Sequence, residues 1–325
     1  MPMKIVVVGG GSWGTAFSRL LADCEHDVTL ACRDPEQARA IQETGRNPRY
    51  LRIVDLRGIP AAPLAEAPVA EAELVVVALP SRSFAAVVDT LPGTAPILSL
   101  TKGLDPGTGK RLSTLVRGRP VAVLSGPNMA EEIAVGLPTA AVIASEDESL
   151  AEELQQAINS LVFRIYVNRD VTGVELCAAA KNVIALAAGG VDGLGLGDNG
   201  KAALITRGLA EMARLGLACG ARPETFSGLA GMGDLMVTCI SPHSRNRHVG
   251  IELARGRALA DILDGMKMVA EGVLTTGAAL ALGAQYGVEL PIATQMAQVL
   301  SGRTDVRTAL GALMLRRQRA EAETG

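Results

Sequence analysis

Lys4 to Val8 is a largely β-branched run that stops at Gly9-Gly10-Gly11-Ser12-Trp13-Gly14, and Thr15 to Ala22 then reads as a helix. A strand that turns directly into a helix through closely spaced glycines confines the start of the chain to a βα unit. Gly9 makes the tight turn, Gly11 lets a ligand approach the backbone, and Gly14 lets helix and strand pack closely. The first helical turn offers unpaired amides and a positive dipole end, both suited to phosphate. Glycine-rich turns are common, so the spacing alone is a weak signal. The preceding strand and following helix make it a dinucleotide signature.

The alternation continues. Asp27 to Cys32, Leu74 to Leu79, Pro96 to Leu100, Val121 to Leu124, Ala140 to Ala144 and Arg164 to Val167 read as strands, with Ser83 to Val88 and Ser149 to Ile158 as helices among them. Such a pattern predicts an α/β fold with a mostly parallel, Rossmann-like sheet and helices on both faces. Ligands of these sheets bind beyond the carboxyl ends of the strands, where an acid after the second strand usually grips the ribose of NAD. Here Cys32 and Arg33 stand there instead. Arg33 fits a 2′-phosphate, which favours NADP(H) and leaves NAD(H) possible; a surface arginine paired with Asp34 is the plainer reading. Lys102, directly after a strand, suits a phosphate or substrate hydroxyl, and a solvated lysine competes equally.

Past residue 170 the helical period takes over. The expected division is a dinucleotide-binding domain over 1–170 and an all-helical substrate and dimerisation domain over 171–325. Expected helices are Lys201 to Leu217, Pro223 to Leu229, Arg245 to Arg255, Gly272 to Tyr286, Pro291 to Leu300 and Thr304 to Arg316. Gly189 to Gly200 reads as a flexible connector, and Arg316 to Gly325 as a charged, frayed tail. Pro223 and Pro291 suit first helical turns.

Glu175 to Gly190 is apolar on almost every side, which predicts a buried helix, yet Lys181 and Asn182 lie in its middle. An unpaired buried ammonium is costly, so Lys181 requires a partner, a shifted pKa, or both. Six of the 31 Lys and Arg residues are lysines. A chain that meets its surface charge with arginine and yet places lysine at an apolar position favours acid–base chemistry there, because lysine can release its proton and arginine cannot. The change of pattern near this helix places Lys181 at a domain junction, where small-molecule sites often form. Asp234, after the glycines of Gly231-Met232-Gly233, reads either as a helix cap or as the partner that orients Lys181. Ser241-Pro242-His243-Ser244-Arg245-Asn246-Arg247 gathers hydroxyl, guanidinium and amide donors at a helix start, which suits a phosphate; a solvated basic turn is the alternative.

Composition removes other classes. A net charge of −3 gives no pull toward nucleic acid or an anionic membrane. The five scattered cysteines have no metal-ligand spacing, so no metal is expected, and they read as reduced thiols of a cytoplasmic protein. No uninterrupted apolar stretch reaches membrane-spanning length and no signal peptide is seen, so no membrane insertion is expected. Aromatics are only 2%, so Ala, Val, Leu and Ile must build the core.

Seven blocks in order carry a resemblance over nearly the whole chain: Gly9 to Ala16, Thr101 to Leu104, Ser125 to Pro127, Ala180 to Ala185, Leu204 to Met212, Ala230 to Leu235, and Ser244 to Arg247. The sequence resembles the bacterial NAD(P)-dependent sn-glycerol-3-phosphate dehydrogenases. That resemblance implies interconversion of dihydroxyacetone phosphate and sn-glycerol 3-phosphate for glycerophospholipid synthesis, by a homodimer, with a phosphorylated triose as its small-molecule partner. It implies Lys181 as the general acid/base. Lys102, Gly126, Asn128, Lys181, Asp234, Ser244, Arg245 and Asn246 would contact substrate. Gly9, Gly11, Ser12, Trp13, Gly14, Arg33, Lys102, Ala130, Arg245, Val269 and Glu271 would contact the dinucleotide. Many members carry Ser or Thr where this chain has Asn128, and Asn can still donate and accept hydrogen bonds. Two rival readings are a related NADP-dependent hydroxy-acid dehydrogenase of the same plan and a non-catalytic dinucleotide sensor.

Overall fold

The structure, a computed structural model, describes residues 2–266 and 268–315, so the tail expected over Arg316 to Gly325 lies outside the described residues. The chain divides into two compact units: Met1–Thr101 with Leu112–Val171, and Lys102–Arg111 with Thr172–Gly325.

The first unit runs β1 (Lys4–Val8), α1 (Ser12–Asp23), β2 (Asp27–Cys32), α2 (Pro35–Thr44), β3 (Ala61–Pro63), β4 (Leu74–Val77), α3 (Ser81–Val88), β5 (Ile97–Ser99), β6 (Val121–Ser125), α4 (Ala130–Ile133), β7 (Thr139–Ser145), α5 (Glu148–Ile158) and β8 (Phe163–Asn168). Its sheet has the order β3-β2-β1-β4-β5-β6-β7-β8. Every pair is parallel except β6 with β7, whose connection carries only the four-residue α4. The chain winds outward from β1 through β2 to β3, then returns to β4 on the other side of β1. The glycine loop therefore leaves β1 at the topological switch point, where such sheets bind ligands. Ile5 and Val7 face one core with Phe17, Leu21 and Phe163; Val6 and Val8 face the other with Val75, Val77 and Phe84. A strand buried on both faces reads as a continuous aliphatic run, as β4 does.

In this unit the helices α2 and α4 and the strand β3 were not expected from the pattern. Helix α2 buries only Gln37, Ala38 and Ile41. Its local signs are nonetheless plain, since the Asp34 side chain accepts from the Glu36 amide, Pro35 opens the helix, and Gly45 closes it in the left-handed region.

The second unit holds α6 (Val171–Gly193), α7 (Gly197–Ala218), α8 (Pro223–Ser227), α9 (Asp234–Ile240), α10 (Arg245–Ala254), α11 (Leu259–Asp264), α12 (Glu271–Tyr286), α13 (Pro291–Leu300) and α14 (Val306–Met314). Helix α6 is the axis, buried continuously from residue 173 to residue 191. By length and composition α6 would cross a membrane, yet 94% of its most apolar window is buried within the protein. That is the signature of a core helix.

The connector expected over Gly189 to Gly200 is instead mostly helix, because α6 runs to Gly193 and α7 starts at Gly197. Gly189, Gly190 and Gly193 serve close packing, whereas Gly195 and Gly197 take left-handed turn conformations in open space. A Cβ on Gly189 would sit 2.0 Å from the Arg247 carbonyl oxygen, and one on Gly250 would sit 1.9 Å from that of Leu186. Backbone contact between α6 and α10 is possible only without those side chains. The buried Glu211 carboxylate of α7 accepts from the Ile292 and Ala293 amides at 2.8 and 3.0 Å, satisfying donors at the start of α13.

Candidate active site

Lys181 lies mid-way along α6 with only 4% of its surface exposed. Its ammonium donates to Asp234 Oδ1 and, at 2.9 Å, to Thr238 Oγ1. Lys102, on the segment that joins the helical unit, donates to the other Asp234 oxygen at 2.8 Å. That segment is fastened to α6 by the Arg111–Glu175 ion pair at 2.9 Å. Asp234 is the first residue of α9 and is 1% exposed. Gly233, not Asp234, is the N-cap of that helix, and the Asp234 carboxylate is spent on two ammonium groups. A π-helical turn, Leu229–Gly233, delivers it. Gly231 is indispensable there, since a Cβ would lie 2.3 Å from the Phe226 carbonyl oxygen.

The electrostatics follow from two cations sharing one buried anion. Burial pushes Lys181 down to about 7; Asp234 opposes the shift and the Lys102 charge adds to it. Burial alone would raise Asp234, but Lys102 and Lys181 together hold it below the usual carboxylate range. Lys181 thus titrates near neutrality, where a proton donor and acceptor is most effective. With both ammoniums protonated the cluster carries one net positive charge, which favours an anion or a developing oxyanion beside it.

A second set of groups is tied to the same helix. Asn246 of α10 donates to Asn182 Oδ1 at 2.9 Å and accepts from the Gly272 amide at 2.9 Å. One carboxamide therefore links α6, α10 and the start of α12, one residue along from Lys181. Ser244 caps α10 by accepting from the Arg247 amide. Arg245 is exposed and donates to the Val269 carbonyl at 2.9 Å, one residue short of α12's N-cap. Arg247, by contrast, is committed to Asp192 at 2.6 Å, which also binds Lys201 at 2.5 Å. The basic turn read from the sequence therefore splits into one exposed guanidinium, Arg245, and one structural guanidinium, Arg247.

Residues 4–151 match the family described as NAD-dependent glycerol-3-phosphate dehydrogenase N-terminus, and residues 170–311 match its C-terminus. The chain belongs to this family. A relative from Moorella thermoacetica, named glycerol-3-phosphate dehydrogenase [NAD(P)+], is 48% identical over all of this chain and 99% of its own. One from Rhodospirillum rubrum with the same name is 46% identical, covering 98% of this chain and 93% of its own. The 2.1 Å crystal structure of glycerol-3-phosphate dehydrogenase from Coxiella burnetii superposes with a TM-score of 0.92 at 35% identity, covering 97% of this chain and 99% of that one.

Of the remaining residues expected from the family resemblance, all but Glu271 fall in the first unit. Gly9 has φ +123°, and a Cβ there would lie 2.4 Å from the Ala78 carbonyl oxygen; a Cβ on Gly14 would lie 1.9 Å from that of Gly9. A Cβ on Gly11 would meet nothing within 4 Å, so the loop is open on that side. Among the described residues no side chain caps α1, and Trp13 Nε1, in its first turn, is buried with no hydrogen-bond partner. A glycine cradle, uncapped amides and an unpaired indole donor fit a dinucleotide phosphate. Arg33 is exposed at the end of β2. The pairing with Asp34 considered for it belongs to Arg49 instead, at 2.5 Å. Gly126 (φ +132°), Asn128 and Ala130 lie in the β6–β7 connection, and Glu271 opens α12 in the helical unit. Thr238 and the Asn182–Asn246 bridge were not singled out from the sequence. Thr238 follows Asp234 by one helical turn, and that spacing is the signal that finds it.

Proposed function

We propose that this protein is an NAD(P)-dependent glycerol-3-phosphate dehydrogenase that interconverts dihydroxyacetone phosphate and sn-glycerol 3-phosphate, with the glycerol phosphate feeding glycerophospholipid synthesis. The observation that carries the reading is the buried Lys102–Asp234–Lys181–Thr238 cluster, whose central ammonium titrates near 7. When bound, the nicotinamide supplies the hydride for reduction or accepts it for oxidation. Lys181 is the catalytic residue: it gives its proton to the C2 oxygen as the ketone is reduced and takes it back in reverse. Asp234 holds the Lys181 amine in place and opposes loss of its proton. Lys102 shares that carboxylate and hydrogen-bonds the substrate oxygens.

Arg245 grips the substrate phosphate, aided by Ser244 and Asn246 at the start of α10. Gripping the distant phosphate orients C2, so its binding energy is used for alignment. Gly126 and Asn128 complete the substrate contacts. Gly9, Gly11, Ser12, Trp13, Gly14, Arg33, Lys102, Ala130, Arg245, Val269 and Glu271 hold the coenzyme. NADP(H) is preferred over NAD(H), because the exposed Arg33 stands where an NAD-binding acid is usual. Residues 1–170 form the dinucleotide domain and 171–325 the substrate domain, through which two copies assemble. The five cysteines are free thiols, in keeping with a cytoplasmic setting.

Assay with dihydroxyacetone phosphate and either NADPH or NADH tests this directly. Turnover with dihydroxyacetone phosphate, faster with NADPH, supports the reading. Preference for 2-ketopantoate or 6-phosphogluconate would identify a different hydroxy-acid dehydrogenase, and coenzyme binding without any turnover would identify a sensor.

A further inference from the structure

We infer that Asn47 is a positioning residue for the coenzyme, a buried carboxamide that holds the glycine loop in its phosphate-binding shape. The inference rests on the reading that the first unit binds a dinucleotide. Asn47 follows α2, has no exposed surface, and uses both ends of its amide. Its Nδ2 donates to the Gly10 carbonyl at 3.0 Å and to Thr15 Oγ1 at 2.8 Å. Its Oδ1 accepts from Gln37 Nε2 at 3.2 Å and from the amides of Arg49 and Tyr50 at 3.0 and 3.1 Å. Gln37 adds a second donor to the Gly10 carbonyl at 2.6 Å.

Gly10 is the middle glycine of the loop, a position the dinucleotide fingerprint leaves open. A Cβ there would lie 2.7 Å from Cys32 Sγ and 3.0 Å from Gln37 Nε2, so the peptide is pressed against the end of β2 and the first turn of α2. Two amide donors fix its carbonyl inward, so the Gly11 N–H of the same planar trans peptide points the opposite way. The same side chain orders the backbone at Arg49, whose guanidinium binds Asp34 at the end of β2. Asn47 therefore couples the turn that meets the pyrophosphate to the segment flanking the ribose side. A donor and acceptor set this complete is costly to disturb in a buried site.

The test uses Trp13, the chain's one tryptophan, which sits in the first turn of α1 and reports coenzyme binding through its fluorescence. NADPH affinity would be measured for the wild type, Asn47→Ala, Asn47→Asp and Gln37→Ala, together with KM for dihydroxyacetone phosphate at saturating coenzyme. Asn47→Asp keeps the acceptor for Arg49 and Tyr50 but turns an oxygen toward the Gly10 carbonyl. Both Asn47 variants are expected to weaken NADPH about tenfold or more, while KM for the triose phosphate stays within about twofold. Coenzyme affinity within about twofold of wild type in Asn47→Asp would overturn the inference, since the residue would then serve only its own turn. Equal losses in coenzyme affinity and triose KM would overturn it too, by showing a general loss of structure. If the Asn47 variants do not fold, Gln37→Ala decides: a several-fold loss supports the inference and an unchanged affinity overturns it. Failure of the wild type to bind NADPH would instead remove the dinucleotide reading itself.

Discussion

Lys102 and Lys181 donate to opposite oxygens of one carboxylate, that of Asp234, inside the helical unit. Two ammonium groups thus share a single buried anion. Burial and the neighbouring cation both disfavour the charged form of Lys181, which therefore shares its proton readily.

The pH dependence follows with opposite signs in the two directions. With Lys181 as the proposed proton donor, ketone reduction needs it protonated, so kcat/KM for dihydroxyacetone phosphate is expected to fall as pH rises through about 7. Alcohol oxidation needs the neutral amine, so kcat/KM for glycerol 3-phosphate falls as pH drops through the same value. Initial rates across pH 5 to about 9 in both directions check this. Parallel profiles would contradict it.

Asp234→Asn removes the charge that opposes deprotonation of Lys181, and both lysines then face a neutral amide. The reductive limb is expected to move to lower pH. Breaking a buried pair in this way should also cost about 3–5 kcal/mol of stability. The pH profile and a denaturant titration on the same protein measure both. A limb that stays in place would show that Asp234 does not govern Lys181.

Arg245 and Arg247 are two residues apart but differently engaged, one exposed near Val269 and the other bound to Asp192. Arg245→Ala should raise KM for the triose phosphate about 10- to 100-fold, the worth of a charged hydrogen bond. Arg247→Ala should act chiefly on stability, visible as a lowered Tm with a smaller change in KM. Steady-state kinetics beside thermal melts separate the two, and the reverse order would move the phosphate site.

Gly250→Ala would place a methyl 1.9 Å from the Leu186 carbonyl, in the α6–α10 contact that sets Asn246 against Asn182. Overpacking of this kind costs about 1–3 kcal/mol. A lower denaturation midpoint is the expected reading, and an unchanged midpoint would mean that the helices part freely.

Much of this was legible in the sequence because the signals are local. The glycine loop follows β1, which spans the residues expected, and Pro291 opens α13 over the stretch its position implied. Helix α6 announced itself through its lack of any polar face. Long-range arrangement was less accessible. Gly189 and Gly190 read as flexibility because nothing near them in sequence reveals that α10 and α14 press on that face. Arg247 looked like Arg245 because its partner, Asp192, belongs to another helix. Helix α2 was missed because it is polar overall and buries only three side chains, which leaves a small apolar face to notice. Among the candidate site residues, Lys181 was conspicuous as a charge in an apolar helix, whereas Thr238 is an ordinary residue until the ammonium is seen beside it.

The most direct test is Lys181→Met, with turnover of dihydroxyacetone phosphate and NADPH affinity measured on the same folded protein. Loss of the proton donor should lower kcat about 100- to 10,000-fold while coenzyme affinity, read through Trp13, stays within about twofold. Near-normal turnover would contradict the account, because the proton would then reach the substrate without Lys181.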